Sequence, residues 1–150
     1  MNIDASFTFT IIHLVFTCIM VGVIWVMQLV HYPSFHFIDS SRYRSFQNFH
    51  MKNISFIVVP AMIFELGSGL VILYYNIQDS FWFFISMLML ITIWTITAVF
   101  FTALHGKLTR GYDRGIVDSL VRINWIRTGL WTTRLIIIFY DMSLYFFFVR

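Results

Sequence analysis

The fold is decided by one stretch near the end of the chain, Asn124-Trp125-Ile126-Arg127-Thr128-Gly129-Leu130-Trp131-Thr132-Thr133-Arg134. It opens a segment that stays apolar as far as Val149. If this segment is a helix, its polar groups and one tryptophan recur at spacings of three, four and seven and share one face. These residues are Asn124, Arg127, Thr128, Trp131, Arg134 and Asp141. Because hydrocarbon offers polar groups no partners, this face must turn inward and the rest of the chain must surround it.

Composition indicates an integral membrane protein whose first partner is the lipid bilayer. Of 150 residues, 59% are hydrophobic and 11% are charged, whereas an average soluble domain has about 25% charged residues. The formal charge of +3 is too small and too localised to indicate a nucleic-acid partner. Cys18 is the only cysteine, so no intramolecular disulfide can form.

Four segments have the roughly 20 apolar residues that a helix needs to cross a bilayer. They cover about residues 7–30, 54–75, 81–104 and 123–149. The connection at residues 76–80 is short, which makes the second and third helices antiparallel neighbours, whereas the connections at 32–50 and 106–121 are longer and polar. We therefore predict an all-α fold, a single domain over residues 1–150 that forms an antiparallel up-down bundle of four transmembrane helices.

Basic residues predict the orientation of the bundle. Seven of them lie on or beside the two longer connections, and cytoplasmic loops are where lysine and arginine accumulate. They are Arg42, Arg44, Lys52, Lys107, Arg110, Arg114 and Arg122. Both long connections are therefore expected in the cytoplasm and both termini outside it.

Two opposite charges are predicted to lie at matched depth in the bundle. Glu65 is 15 residues past His50, roughly 22 Å along a helix, and Arg134 is 12 residues past Arg122, roughly 18 Å. A lone charge near the bilayer centre costs about 2.5–3.5 kcal/mol, so the two are expected to pair. The pair is either a structural clamp or part of a proton-carrying or ligand-binding site. By the same reasoning from depth, Asp141 is a candidate partner for His13.

Three histidines on different helices are expected at the cytoplasmic level: His31, His50 and His105. Gln28 shares a face with His31, and Asn124 and Arg127 enter at the same level. Neutral imidazoles in this arrangement suit catalysis by acid and base, or the ligation of a transition metal or a haem iron. The alternative is an interfacial belt that only hydrogen-bonds backbone carbonyls and headgroups. Trp25 and Trp131 are either core packing or the two walls of a planar ligand site.

Several motifs that together span most of the chain carry a resemblance to known proteins. They are Trp25-x-x-Gln28-x-x-x-Tyr32-Pro33-x-Phe35, then His50 with Pro60 and Glu65, then Leu104-His105-Gly106-Lys107-Leu108, then Asn124-Trp125-x-Arg127-Thr128-x-x-Trp131-Thr132-x-Arg134. This pattern resembles an uncharacterised group of small bacterial four-helix membrane proteins, which is distantly similar to the anthrone-oxygenase-like membrane family. His105 stands where that family has an asparagine. The resemblance implies a bacterial cytoplasmic (inner) membrane protein with oxygenase-type chemistry.

A second similarity is to the small haem-dependent protoporphyrinogen oxidases of bacteria. They are four-helix proteins with a histidine early in the first span, where this chain has His13. The similarity implies a bound haem. The lysine that this family needs within the membrane has no counterpart here.

These observations predict a pocket that opens toward the cytoplasmic leaflet. His31, His50, His105 and Glu65 are its candidate catalytic groups, and the first three are its candidate metal ligands. The candidate ligand-binding residues are Trp25, Gln28, Asn124, Arg127, Trp131 and Arg134. The leading hypothesis is a redox or oxygenase-type enzyme acting on a hydrophobic aromatic small molecule. A haem- or metal-binding protein and a structural or transport subunit are the alternatives, and the sequence leaves a homo-oligomer open.

Overall fold

The computed structural model describes residues 3–75, 77 and 80–148, with only the backbone of residues 3, 4 and 145–148. Over the residues that it describes, the protein is 93% helical and has no β-strand. The predicted all-α class is therefore confirmed. Strands are disfavoured because an apolar chain in lipid must satisfy its backbone hydrogen bonds within each segment.

Four long helices make up the structure. The first runs from Ile3–Val26 into a π-helical turn, Met27–His31, and ends in the short turns Tyr32–Ser34 and Phe35–Phe37. The second is Ser40–Tyr74. The third is Phe81–Ile96, followed by a π-helical turn, Thr97–Phe101, and an α-helical end, Thr102–Leu108. The fourth is Arg114–Phe148. These segments are called the first to fourth helices below.

The connections at 32–50 and 106–121 were expected to be long, and this prediction is wrong. The second helix already begins at Ser40, where the Asp39 carboxylate caps it by accepting a hydrogen bond from the Ser41 N–H (2.8 Å). Asp113 likewise accepts from the Ile116 N–H (3.0 Å) at the start of the fourth helix. Gly111 turns the chain between the third and fourth helices with a φ of +153°, a conformation that favours glycine.

Hydropathy marks only the apolar part of a helix, whereas capping residues determine where its hydrogen-bonded backbone begins. The helices therefore extend beyond the predicted spans. The predicted last residue, 149, lies outside the described residues, as do residues 76, 78 and 79 of the short connection.

Three helical stretches are long and apolar enough to cross a membrane: Ala5–Phe37, Ser40–Tyr74 and Phe81–Leu108. Large hydrophobic side chains are exposed on the outer surface of all four helices, among them Val26, Phe56, Val99 and Ile136. An exposed apolar surface around a polar interior suits a lipid environment. The fourth helix is equally long but carries three charged side chains, Arg127, Arg134 and Asp141, along its inner face.

The polar stripe of the fourth helix faces inward, as the sequence predicts. All six of its residues are buried, with exposed fractions of 5% or less. Apolar side chains separate the polar groups into layers along the bundle. The middle layer consists of Met20, Ile24, Ala61, Met62, Ile93 and Trp131. Above and below it, the polar residues form two separate clusters.

Candidate functional site

A partly open cavity of about 210 Å³ lies between the first, second and third helices, with one residue of the fourth in its wall. Both π-helical turns border it, since Met27, Thr97 and Phe101 belong to them. A π-helical turn adds a residue to the helical repeat and so changes the direction of the side chains that follow. Such turns often occur at functional sites.

One end of the cavity is polar, and the remaining lining is apolar apart from Ser55, Thr97 and Thr102. Tyr32, His105 and Arg127 form the polar end. The Tyr32 hydroxyl and His105 Nε2 are 3.5 Å apart, and the Arg127 guanidinium lies beside the same hydroxyl. The apolar wall consists of Met20, Val23, Ile24, Met27, Met51, Ile54, Val58, Val59 and Phe101. Such a cavity suits a hydrophobic molecule that has a single polar group at one end.

The three predicted histidines lie side by side behind this polar end. His31 Nε2 and His50 Nδ1 are hydrogen-bonded at 2.7 Å, and the rings of His50 and His105 are 5.6 Å apart. Gln47 Nε2 lies 2.9 Å from His105 Nδ1. With the amide in this orientation, a neutral His105 carries its proton on Nε2 and presents a donor toward Tyr32. Of these histidines, only His105 lines the cavity.

Arg127 is held by a directional chain of amides. The Gln28 side chain donates to the Val121 carbonyl (3.4 Å) and accepts from Asn124 Nδ2 (2.9 Å). The Asn124 side-chain oxygen in turn accepts from the Arg127 guanidinium (3.4 Å). The predicted proximity of Gln28, Asn124 and Arg127 is therefore seen. The Gln28 and Asn124 amides are uncharged, and each already has a hydrogen-bond partner. This series of amides therefore orients the Arg127 guanidinium but does not neutralise its charge.

Arg127 has no anionic partner among the residues that the structure describes. It is 4% exposed, and its Nε is buried without a hydrogen-bond partner. The guanidinium carbon lies 4.0 Å from the Phe101 ring centroid and 5.2 Å from that of Trp131. Contacts with aromatic faces offset part of the cost of burying the cation but supply no counter-charge.

The predicted pair of Glu65 and Arg134 is formed, at a distance from the cavity. Arg134 donates to Glu65 Oε1 (2.5 Å), and both side chains are fully buried. Glu65 also accepts from the Thr17 hydroxyl (2.9 Å) and from the Trp131 indole N–H (3.2 Å). Arg134 further donates to the Ser86 carbonyl (2.9 Å). Neither charged residue lines the cavity, so Glu65 and Arg134 do not form its predicted floor.

His13 belongs to this deep cluster, and its predicted partnership with Asp141 is wrong. His13 Nδ1 donates to the Glu65 carbonyl (2.9 Å), and its Nε2 faces Arg134 (3.3 Å). Asp141 instead accepts a hydrogen bond from the Ser80 hydroxyl. Arg134 lies on the same face of the fourth helix as Asp141 but seven residues before it, about 10 Å along the helix, so the predicted depth of His13 was wrong.

The predicted ligand site between two tryptophans is also not present. Trp25 lies on the outer surface with 36% of its area exposed, and its indole N–H donates to Thr132 (3.1 Å). Trp131 is fully buried, and its indole N–H is bonded to Glu65. His13, Thr17 and Gln28 mark the buried face of the first helix, and Trp25 lies beside that face rather than on it.

The histidines do not present a ready site for a metal or a haem. Within the described residues, no group of three His, Cys, Asp or Glu side chains is arranged to hold a metal ion. His31 and His50 are bonded to each other, and both ring nitrogens of His105 face Gln47 and Tyr32. His50 Nε2 is buried without a partner, but His50 does not line the cavity. The donor set therefore does not fit an iron ligand in the cavity.

Two residues of the site were not among the predicted ones. Gln47 lies three residues before His50, so helical spacing alone would have placed it on the same face. Tyr32 is brought against His105 by the π-helical turn before it, which has no recognisable sequence signal. Comparison of the chain with protein-family models, curated proteins and solved structures found no match. The family resemblance therefore stays a prediction.

Proposed function

We propose that the chain crosses the bacterial inner membrane four times as an antiparallel up-down bundle. The contacts support this arrangement: Thr17 meets Glu65 and His31 meets His50, so residue numbers rise along the first helix as they fall along the second. With the basic residues near the connections that join the first helix to the second and the third helix to the fourth, both termini lie outside the cytoplasm. The cavity then lies near the cytoplasmic leaflet.

Labelling with a membrane-impermeant thiol reagent in intact cells tests this orientation. Single cysteines would replace Ser41 and Asp113 in a Cys18→Ser background, because the native Cys18 is exposed on the protein surface. Both positions should resist the reagent until the cells are permeabilised. Ready labelling of both positions in intact cells would invert the orientation.

We further propose that the cavity binds a hydrophobic aromatic molecule through an acidic oxygen, a phenolate being the best match. The observation that carries this proposal is the buried Arg127 without a carboxylate partner. A buried cation without a counter-charge is costly, and an anionic ligand would supply the missing charge. His105 Nε2–H offers a second donor at the same end of the cavity, while the apolar wall accommodates the ring.

The reaction class that these groups favour is an oxygenase or redox conversion of such a phenolate. Arg127 and His105 would stabilise negative charge on the ligand oxygen, as preorganised donors do in other sites that stabilise an oxyanion. His50 and His31 continue the line of imidazoles toward the partly exposed end of the site. They would serve as acid and base groups through which the proton of the phenol leaves. Molecular oxygen is the co-substrate that an oxygenase reaction requires.

Binding of a methyl-substituted nitrophenol to the protein in nanodiscs tests the proposed site. Its phenolate is coloured, so absorbance reports both binding and ionisation, and its methyl ether is a control that cannot ionise. Arg127→Gln should weaken binding by about tenfold or more, because a hydrogen bond to a charged group contributes about 1.5–3 kcal/mol. Asn124→Asp should weaken it similarly, by placing a carboxylate beside Arg127.

Arg122→Gln is the matched control, because Arg122 is an exposed arginine on the same helix outside the cavity. It should leave binding unchanged. The proposed site would be contradicted if the nitrophenol and its methyl ether bound equally well. It would also be contradicted if the Arg122 and Arg127 variants lost the same amount of affinity.

A further inference from the structure

We infer that the ligand is an amphiphile that enters sideways from the bilayer, with its phenolic ring in the cavity and an apolar tail left in the lipid. This inference rests on the proposed phenolate site and adds the ligand class and the route of entry. It depends on three features of the cavity: the position of its mouth, its size and the chemistry of its wall.

The mouth of the cavity lies between the second and third helices. Ser55, Val59 and Thr102 border the cavity and are also exposed on the outer surface. The second helix packs mainly on the first, and the third mainly on the fourth, so the second and third are only loosely joined. A molecule can therefore reach the cavity between them without displacing the core.

The mouth opens at the level of the lipid acyl chains. Ser55 and Val59 lie five and nine residues past His50, about 7–14 Å deeper along the helix. Thr102 lies three residues before His105, which places it about 4.5 Å deeper than that histidine. The polar end of the cavity, at Tyr32 and His105, thus lies nearer the interface than the mouth does.

The cavity is too small for a whole amphiphile. Its volume is about 210 Å³, whereas pockets that enclose a drug-sized ligand measure about 300–1,000 Å³. It accommodates an aromatic ring with a short substituent. A longer tail must pass through the mouth. Outside the mouth, the tail would stay in contact with lipid acyl chains, as it does before the molecule binds.

The wall favours an aromatic ring over an alkyl head. Three methionines, Met20, Met27 and Met51, line the cavity together with Phe101. Thioether sulfurs make favourable contacts with aromatic ring edges, and flexible methionine side chains adapt to rings of different substitution. A phenolic ring beside Phe101 would also reach the Arg127 guanidinium, which lies over that ring.

Binding of a nitrophenol with an octyl chain, compared with the methyl-substituted nitrophenol, tests this inference. Both compounds are titrated into protein-containing and empty nanodiscs. The empty nanodiscs give the amount of each compound that dissolves in the bilayer, so each affinity is expressed relative to the compound in lipid. On that scale the affinities of the octyl and methyl compounds should agree within about threefold, because the octyl tail lies in lipid whether the ring is bound or free. A cavity closed to the bilayer would reject the octyl compound by about tenfold or more.

Narrowing the mouth gives an independent test. Val59→Trp should lower the affinity for the octyl compound by about tenfold more than it lowers the affinity for the methyl compound. Ile57→Trp, at an exposed position of the same helix that does not border the cavity, is the control for the added indole. Thr102→Trp, on the opposite side of the mouth, should act like Val59→Trp.

The results separate this inference from the proposed function. If the methyl compound binds through Arg127 but the octyl compound does not, the lateral route is wrong and the phenolate site stands. If Val59→Trp and Ile57→Trp affect the octyl compound equally, the mouth is wrongly placed. If neither compound binds in an Arg127-dependent manner, both proposals fail together.

Discussion

Two arginines on one face of the fourth helix, seven residues apart, have opposite surroundings. Arg134 is fully buried against Glu65, with further partners at Ser86 and His13. Arg127 is almost as deeply buried, yet its hydrogen-bond partners among the described side chains are neutral, the Asn124 amide oxygen and the Tyr32 hydroxyl, and its Nε has no partner. The first arrangement is complete within the protein, and the second lacks a negative charge.

The difference separates a structural cluster from the proposed binding site. Every oxygen of the Glu65 carboxylate and every nitrogen of the Arg134 guanidinium has a protein partner, so the deep cluster has nothing left to offer a ligand. A buried, fully hydrogen-bonded ion pair fixes which faces of the helices meet. Arg127 borders a cavity instead, and its missing counter-charge is what an anionic ligand would provide.

The largest effect is expected from breaking the complete pair. Glu65→Ala should destabilise the protein by roughly 3–5 kcal/mol, because Arg134 is left as an uncompensated buried charge. The free energy of unfolding, followed by tryptophan fluorescence in mixed micelles, measures the loss. Glu65→Leu with Arg134→Leu should recover much of it. Recovery will be incomplete, since the Thr17 hydroxyl and the Trp131 indole N–H lose their acceptor. A double variant as unstable as the sum of the single ones would contradict the pairing.

A smaller effect is expected from crowding the deep cluster. A Cβ added at Gly69 would lie 2.9 Å from His13 Cε1 and 2.6 Å from the Met87 sulfur. Met87 is flexible, but His13 is fixed by its bonds to Glu65 and Arg134. Gly69→Ala should therefore cost about 1–3 kcal/mol of unfolding free energy. Gly67→Ala, where a Cβ meets nothing within 4 Å, is the control and should not destabilise. Equal stability of the two variants would show that the deep cluster is loosely packed.

The sequence predicted the features that follow from the cost of polar groups in lipid. The all-helical class, the inward stripe of the fourth helix and the pairing of Glu65 with Arg134 all rest on that cost, which leaves few alternatives. The three histidines that were predicted at one level come together for a related reason. An alternating chain returns His31, His50 and His105 to one level, and the amides of Gln28 and Asn124 meet beside them.

The predictions that failed concern the direction of a side chain and the depth of a residue. His13, Thr17 and Gln28 mark the buried face of the first helix, and Trp25 lies beside that face. His13 lies at the depth of Arg134, about 10 Å from the level of Asp141 on the same face of the fourth helix. The π-helical turns change the direction of side chains at Tyr32 and Phe101, and neither turn contains a proline or glycine to mark it. The cavity itself was therefore beyond what periodicity could predict, although two of its lining residues, His105 and Arg127, were among the predicted site residues.

The smallest effect is expected for Arg127→Met, with Arg134→Met as the variant for comparison. Arg134→Met leaves Glu65 charged and buried, and should cost roughly 3–5 kcal/mol of unfolding free energy. Arg127→Met removes a buried cation that has no counter-charge, and the methionine keeps most of the side-chain volume. It forfeits the hydrogen bond to Asn124, worth about 1 kcal/mol, but also the cost of burying the charge. The two terms nearly cancel, so the unfolding free energy should change by no more than about 1 kcal/mol.

Phenolate binding to Arg127→Met should nevertheless be lost, because binding and not folding depends on this charge. A loss of stability in Arg127→Met as large as that in Arg134→Met would mean that Arg127 is a second structural clamp. The charge of Arg127 would then no longer favour an anionic ligand in the cavity.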